Sequence, residues 1–149
     1  MYERLLQPLD LGPTRVRNRI FNPPHGTSLG HGGVVTDELI AYHKARARGG
    51  AGLIILEGMT VHPSYGFEHS FLYAGSDRIV EGMQRLGETC REQGTPVFGQ
   101  LFHAGRGVRL SHDGSRPLSY SASNVPDERY RVVPVPMPTV GSPGSSAWS

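Results

Sequence analysis

The chain has a single cysteine, Cys90, among its 149 residues. An internal disulfide is therefore impossible, and a cysteine-rich metal site is excluded with it. A reducing cytoplasm is the expected compartment for such a chain. Charge of one sign is also scarce: the net charge is +2, and the basic residues are scattered rather than gathered into a stripe. No nucleic-acid partner is expected from that distribution. No apolar run approaches the length of a membrane span, and no charged-then-apolar leader opens the chain, so no membrane partner is expected. Motifs of the His-x-His or HExxH kind are missing as well. What remains is 37% hydrophobic and 19% charged, the balance of a globular domain with one core.

Leu9 and Leu11, the turn Gly12-Pro13-Thr14, and then Val16 read as a small hairpin leading to a strand over Arg19 to Asn22. Pro23 and Pro24 stop that strand because they lack the N–H a central strand needs. Thr36 is a suitable helix N-cap, with Asp37 and Glu38 in the first turn and Lys44, Arg46 and Arg48 toward the end. Leu39, Tyr42, His43 and Arg46 recur at helical spacing up to Gly49-Gly50. Leu53 to Leu56 is a continuous apolar run, suited to a parallel strand buried on both faces, with Glu57-Gly58 marking its end. A long loop follows, running through His62 to Gly75. Ser76-Asp77 caps a second helix whose face carries Ile79, Val80, Met83, Leu86 and Cys90, with Gly94 as its stop. Cys90 is expected to be a buried core thiol. A third strand spans Pro96 to Leu101.

Strand and helix thus alternate, with strand ends about forty residues apart, the size of a βα unit. Doubly wound sheets and (β/α)8 barrels both begin this way, and both bind ligands beyond the carboxyl ends of their strands. Three segments lie there: Pro23-Pro24-His25-Gly26-Thr27, Glu57-Gly58-Met59-Thr60, and Gln100 through Arg106. Glycines there allow a flat ligand close to the backbone, and the amide of Gln100 offers a donor and an acceptor on one plane. Gly49 to Gly52 is not a phosphate cradle, because it precedes a strand instead of opening a helix.

The segments LDLGPTRVRNRIFNPPHGT, TDELIAYHKARARGGAGLIILEGMTVHP and FGQLFHAGR, in order and at natural spacing, resemble the opening of Old Yellow Enzyme-type flavoproteins. PPHGT and EGMTVHP look nearest to the branch that contains 2,4-dienoyl-CoA reductase and trimethylamine dehydrogenase. The resemblance implies an α/β fold: the N-terminal portion of a (β/α)8 TIM barrel, about three βα units, with the barrel incomplete. It also implies FMN as cofactor, NADH or NADPH as hydride donor, and a small-molecule substrate. Carried over by position, Pro24, His25 and Gly26 would line the flavin near its reactive nitrogen. Gly58 would contact the same region through its backbone, and Gln100 would bond the pyrimidine part of the ring. Many relatives carry Thr or Cys where Gly26 stands, so only backbone is offered there unless Thr27 reaches in.

Within this resemblance, residues 1–138 form the barrel part, and 139–149, ending GSPGSSAWS, are an expected disordered tail. Prolines from Arg116-Pro117 onward are expected to break every regular element. The HAGR segment is read as a turn in which Arg106 bonds backbone carbonyls. A barrel of this kind needs about 250 residues. The isolated chain is therefore expected to be inactive, and to self-associate through an unfinished edge. Two other classes of function compete: a non-catalytic remnant or a fragment that needs a partner to complete the barrel, and a metal-dependent hydrolase barrel using His25, Glu57, His62 and His103.

Overall fold

The computed structural model describes residues 2–64, 71–108, 118–129 and 131–138. The expected disordered tail at 139–149 lies outside the described residues. The chain divides into two compact units, Met1–Val61 with Glu68–Phe102, and His62–Phe67 with His103–Ser149.

In the first unit, β1 (Leu9–Leu11) and β2 (Thr14–Val16) form an antiparallel hairpin with Gly12 at φ +57° in its turn. A four-stranded parallel sheet follows, built from β3 (Phe21–Asn22), β4 (Leu53–Thr60), β5 (Leu72–Tyr73) and β6 (Val97–Phe102). β6 runs along one edge of β4, while β3 and then β5 take the other. Helix α1 (Asp37–Arg48) joins β3 to β4, and α2 (Val80–Arg91) joins β5 to β6. The described strands do not close into a barrel.

Local chemistry accounts for the helices. Thr36 caps α1 by accepting the Leu39 N–H, and Asp37, Glu38, Arg46 and Arg48 sit at the dipole ends that suit them. Ser76 opens a single 3-10 turn, Asp77–Ile79, before α2 begins at Val80. Val80, grouped with the buried face in the sequence reading, is exposed, because at 3.6 residues per turn it lies roughly 80–120° around α2 from Leu86 and Cys90. Leu86 and Cys90 are buried as expected, and burial pushes the Cys90 thiol up from its ordinary range. Val35, Leu39, Ala47, Ile54, Leu56, Met59 and Leu72 complete the core between helices and sheet.

Two strand boundaries differ from the sequence reading. The first strand of the sheet is only Phe21–Asn22, because Asn18 and Ile20 are engaged elsewhere: Asn18 Oδ1 accepts the Ile20 N–H, and Ile20 O accepts the Gly52 N–H. The second strand does not end at Glu57-Gly58 but continues to Thr60. There it is paired on one edge with β6, through Met59↔Leu101 and Thr60↔Phe102, and on the other with β5, a strand inside what reads as loop, through Met59↔Leu72 and Thr60↔Tyr73. In the second unit, β7 (Tyr120–Ser121) and β8 (Val135–Pro136) form a short parallel pair within the proline-rich stretch. Proline is tolerated there because the ladder is donated by Val135 N and Met137 N, not by Pro136.

One side chain ties the amino-terminal end of the sheet together. The Arg17 guanidinium donates to Gln93 O at 2.8 Å, Ala47 O at 2.8 Å, Ala51 O at 3.0 Å and Thr95 Oγ1 at 3.0 Å. Arg17→Lys is predicted to destabilise the chain by about 1–3 kcal/mol, since an ammonium cannot span this fan of acceptors. A urea midpoint unchanged from wild type would contradict that.

His43 presents the opposite problem. It is buried on α1 with neither ring nitrogen hydrogen-bonded among the described residues. Burial first, then the nearby Arg46 and His25, lowers its pKa from 6.5 to about 4. The unfolded chain takes up this proton near 6.5 and the folded chain only near 4, so stability is lost as pH falls through that window. The loss should reach about 2–3 kcal/mol once complete. His43→Leu is predicted to flatten the stability profile between those two pH values, and a profile as steep as wild type would count against this origin.

Candidate functional site

β4 and β6 are parallel and end together, Thr60 opposite Phe102, whereas β3 ends earlier, at Asn22 opposite Ile54, and the chain after it reaches Glu57 of β4 through Thr27. Gly58 and Gln100 are direct partners in the β4–β6 register. Between Ile55 and Gly58 the register shifts by one residue, a bulge in β4. Leu56 and Glu57 are both buried, as are the adjacent pairs Leu53–Ile54 and Met59–Thr60, since β4 is covered on both faces.

Glu57 connects the third segment. It is 1% exposed, and its Oε2 accepts the Thr27 N–H at 2.5 Å and the Thr27 hydroxyl at 2.7 Å. Thr27 Oγ1 in turn accepts the Leu29 N–H at 3.1 Å. Glu57 Oε1 is buried with no hydrogen-bond partner among the described residues. The loop from Pro23 to Thr27 is thus held against the strand that carries Gly58.

Its other anchor is His25. Nδ1 lies 3.3 Å from Pro23 O and Nε2 lies 2.6 Å from the Tyr42 hydroxyl. A carbonyl only accepts, so Nδ1 carries the proton and Nε2 accepts from Tyr42. Arg46 stacks over the Tyr42 ring with its guanidinium carbon 3.1 Å from the centroid, and donates to Tyr42 O at 2.8 Å.

Of the five residues singled out from the sequence, Gly58 and Gln100 are paired directly, and the other three lie in a loop held to β4 and to α1. Gly58 and Gln100 meet through register; His25 is fixed by α1; Pro24 and Gly26 follow from the anchors on either side of them. A Cβ on Gly26 would meet no atom within 4 Å, so its surroundings are open to a ligand. A Cβ on Gly58 would lie 3.1 Å from Phe102 Cβ and 3.7 Å from Gln100 Oε1. Packing against Phe102 is therefore a sufficient reason for glycine at 58, and it leaves the Gln100 amide lying over the backbone. Gln100 is exposed, so its amide is available to a planar partner with alternating donors and acceptors. An open backbone segment beside an exposed amide fits the pyrimidine edge of an FMN ring.

The bonds that Thr27 and Tyr42 make, to Glu57 and to His25, escaped the sequence reading, which named Thr27 only as a side chain that could reach toward the flavin and Tyr42 only as a helix-face residue. No local pattern announces a bond between residues thirty positions apart. The one available signal was a carboxylate, Glu57, inside an apolar strand.

In the second unit, His103 Nδ1 accepts the Gly105 N–H at 3.0 Å, so its neutral ring carries the proton on Nε2 and donates to Ser64 Oγ at 3.2 Å. His62 Nδ1 accepts from Ser64 N at 3.2 Å and from Ser64 Oγ at 2.8 Å. Burial, with His62 nearby, holds the His103 pKa below its ordinary value. Arg106 donates to Pro126 O at 3.3 Å, the carbonyl role read from its sequence. The metal alternative needs His25, Glu57, His62 and His103 together; among the described residues no group of three or more such side chains is placed to hold an ion. No helix among them is long and apolar enough to cross a membrane.

Tyr42→Phe is predicted to release the His25 tautomer. Nitrogen NMR of the imidazole should show Nδ1–H alone in wild type and a mixture in the variant, with stability changed by less than about 1 kcal/mol. Identical nitrogen shifts in the two proteins would remove Tyr42 from this role.

Residues 4–133 match the sequence profile of the NADH:flavin oxidoreductase / NADH oxidase family. The chain is 41% identical over 98 residues to the NADH oxidase of Thermoanaerobacter brockii, covering 64% of this chain and 15% of that protein. It is 34% identical over 115 residues to the NADPH dehydrogenase of Bacillus subtilis, covering 76% of this chain and 34% of that one. Among solved structures, it superimposes on the old yellow enzyme from Trypanosoma cruzi with a TM-score of 0.72 and 26% identity, over 93% of this chain and 43% of that chain. The chain thus spans less than half the length of these relatives.

Proposed function

This chain belongs to the NADH:flavin oxidoreductase / NADH oxidase family, and from that premise we propose that it forms one wall of an FMN site in a (β/α)8 barrel. The observation that carries this reading is the pairing of Gly58 with Gln100 near the carboxyl ends of β4 and β6, with the Gly26 segment held to the same strand by the Thr27–Glu57 bond. Pro24, His25 and Gly26 would border the ring near its reactive nitrogen, Gly58 would offer backbone, and Gln100 would bond the pyrimidine edge. FMN, when bound, supplies the hydride relay from NADH or NADPH to an electron-poor small-molecule acceptor. The protein's part is placement: Gln100 fixes the ring's orientation, and the anchored loop of residues 23–27 sets the surface against it.

The segments PPHGT and EGMTVHP support a position on the branch near dienoyl-CoA reductase. Turnover belongs to a barrel with further strands. What supports this is the share of the relatives' length that the chain spans, together with the open side of β6, where Leu101 is 69% exposed. A parallel strand is ordinarily covered on both faces, so self-association through β6 is part of the same reading. A cytoplasmic location goes with it, because that is where the nicotinamide reductants are supplied.

FMN titrated into the full chain is predicted to lose fluorescence saturably, with Gln100→Ala weakening binding about five- to tenfold. No saturable quenching up to about 1 mM FMN would overturn the flavin reading.

A further inference from the structure

We infer that Glu57 is a positioning residue for the flavin-facing loop, acting through Thr27; this rests on the flavin reading above. The loop has few holds of its own. Pro23 and Pro24 have no N–H to donate, Gly26 has no side chain, and among the described residues none of 23–27 makes a backbone–backbone hydrogen bond beyond the strand ladders. Its path is set by side chains from neighbouring elements: Tyr42 on His25, and Glu57 on Thr27.

The Glu57 contact is the interior one. A carboxylate with 1% exposure is costly to bury unless its oxygens are bonded, and here Oε2 takes both the amide and the hydroxyl of Thr27. The contact lies where β4 carries an extra residue between Ile55 and Gly58, next to the Gly58–Gln100 pair. The stretch of β4 that pairs Gly58 with Gln100 thus also holds, through Glu57 and Thr27, the backbone next to Gly26. Thr27 completes the arrangement by accepting the Leu29 N–H, which carries the constraint one turn further.

A purely structural role would lower stability and leave the bound flavin unchanged. A positioning role predicts altered flavin binding in protein that is still folded. The test uses the full chain with FMN as probe, comparing wild type, Glu57→Gln, Thr27→Val and Thr27→Ser. Each is checked for its folded state by circular dichroism and amide NMR, then titrated by fluorescence and by the flavin absorption band. Thr27→Val is predicted to weaken FMN about five- to tenfold and shift the absorption band. Thr27→Ser, which keeps the hydroxyl, should restore both. Glu57→Gln, which keeps an acceptor oxygen but not the charge, should weaken binding as well. If Glu57→Gln does not fold, the threonine pair decides the matter. Wild type that fails to bind FMN would overturn the flavin reading and this inference together. Wild type that binds, with Thr27→Val binding equally well and with the same spectrum, would overturn the inference alone.

Discussion

Arg17 is the constraint on which the rest of the first unit depends. Its guanidinium gathers carbonyls from the last turn of α1, from the segment entering β4 and from the segment after α2, together with the Thr95 hydroxyl before β6. Thr95 itself donates to Ala51 O at 2.8 Å, closing the group. Both helix-to-strand connections are thereby fixed to the hairpin's exit. Helix carboxyl ends leave carbonyls unpaired, and a planar cation with several donors is the group best suited to collect them from two helices at once. With the amino-terminal ends of β4 and β6 tied there, the parallel register is set, and the opposite ends are free to be irregular.

That division explains what was legible in the sequence. The helix caps Thr36 and Ser76, the apolar run at Leu53 and the apolar face at Leu86 and Cys90 are local signals, and they mark real elements. The carboxyl ends were harder. β4 outruns its apolar stretch, paired there with β6 on one edge and, on the other, with Leu72 and Tyr73 beside Met59 and Thr60, a pairing that no local pattern encodes. The pair β7 and β8 was hidden for the same reason: Tyr120 and Val135 are partners only through a fold-level contact. The segments that carry the candidate residues stand out in the sequence, but what holds them does not: the β4–β6 register that pairs Gly58 with Gln100, and a carboxylate–threonine contact across thirty residues.

Gly58 shows why motif and mechanism must be kept apart. Its place in the site suggests a glycine kept clear for a ligand, yet Phe102 alone would crowd a Cβ at 3.1 Å. Gly26 is the reverse case, with nothing within 4 Å of the position a Cβ would take. The two glycines resemble each other in the sequence and differ in physical cause. Packing requires one; the other borders open space.

His43 and Glu57 make a related contrast within one unit. Both are polar and about 1% exposed, and among the described residues both ring nitrogens of His43 and one oxygen of Glu57 lack a hydrogen-bond partner. His43 meets burial by staying neutral, since its lowered pKa removes the charge that the core would penalise. Glu57 meets it by finding donors, and those donors belong to the loop beside the candidate flavin site. A buried imidazole can fall silent in this way without shaping its neighbours. A carboxylate that recruits a backbone amide and a hydroxyl imposes a conformation on the segment that supplies them, which links the cost of burying Glu57 to the geometry of the surface that residues 23–27 present.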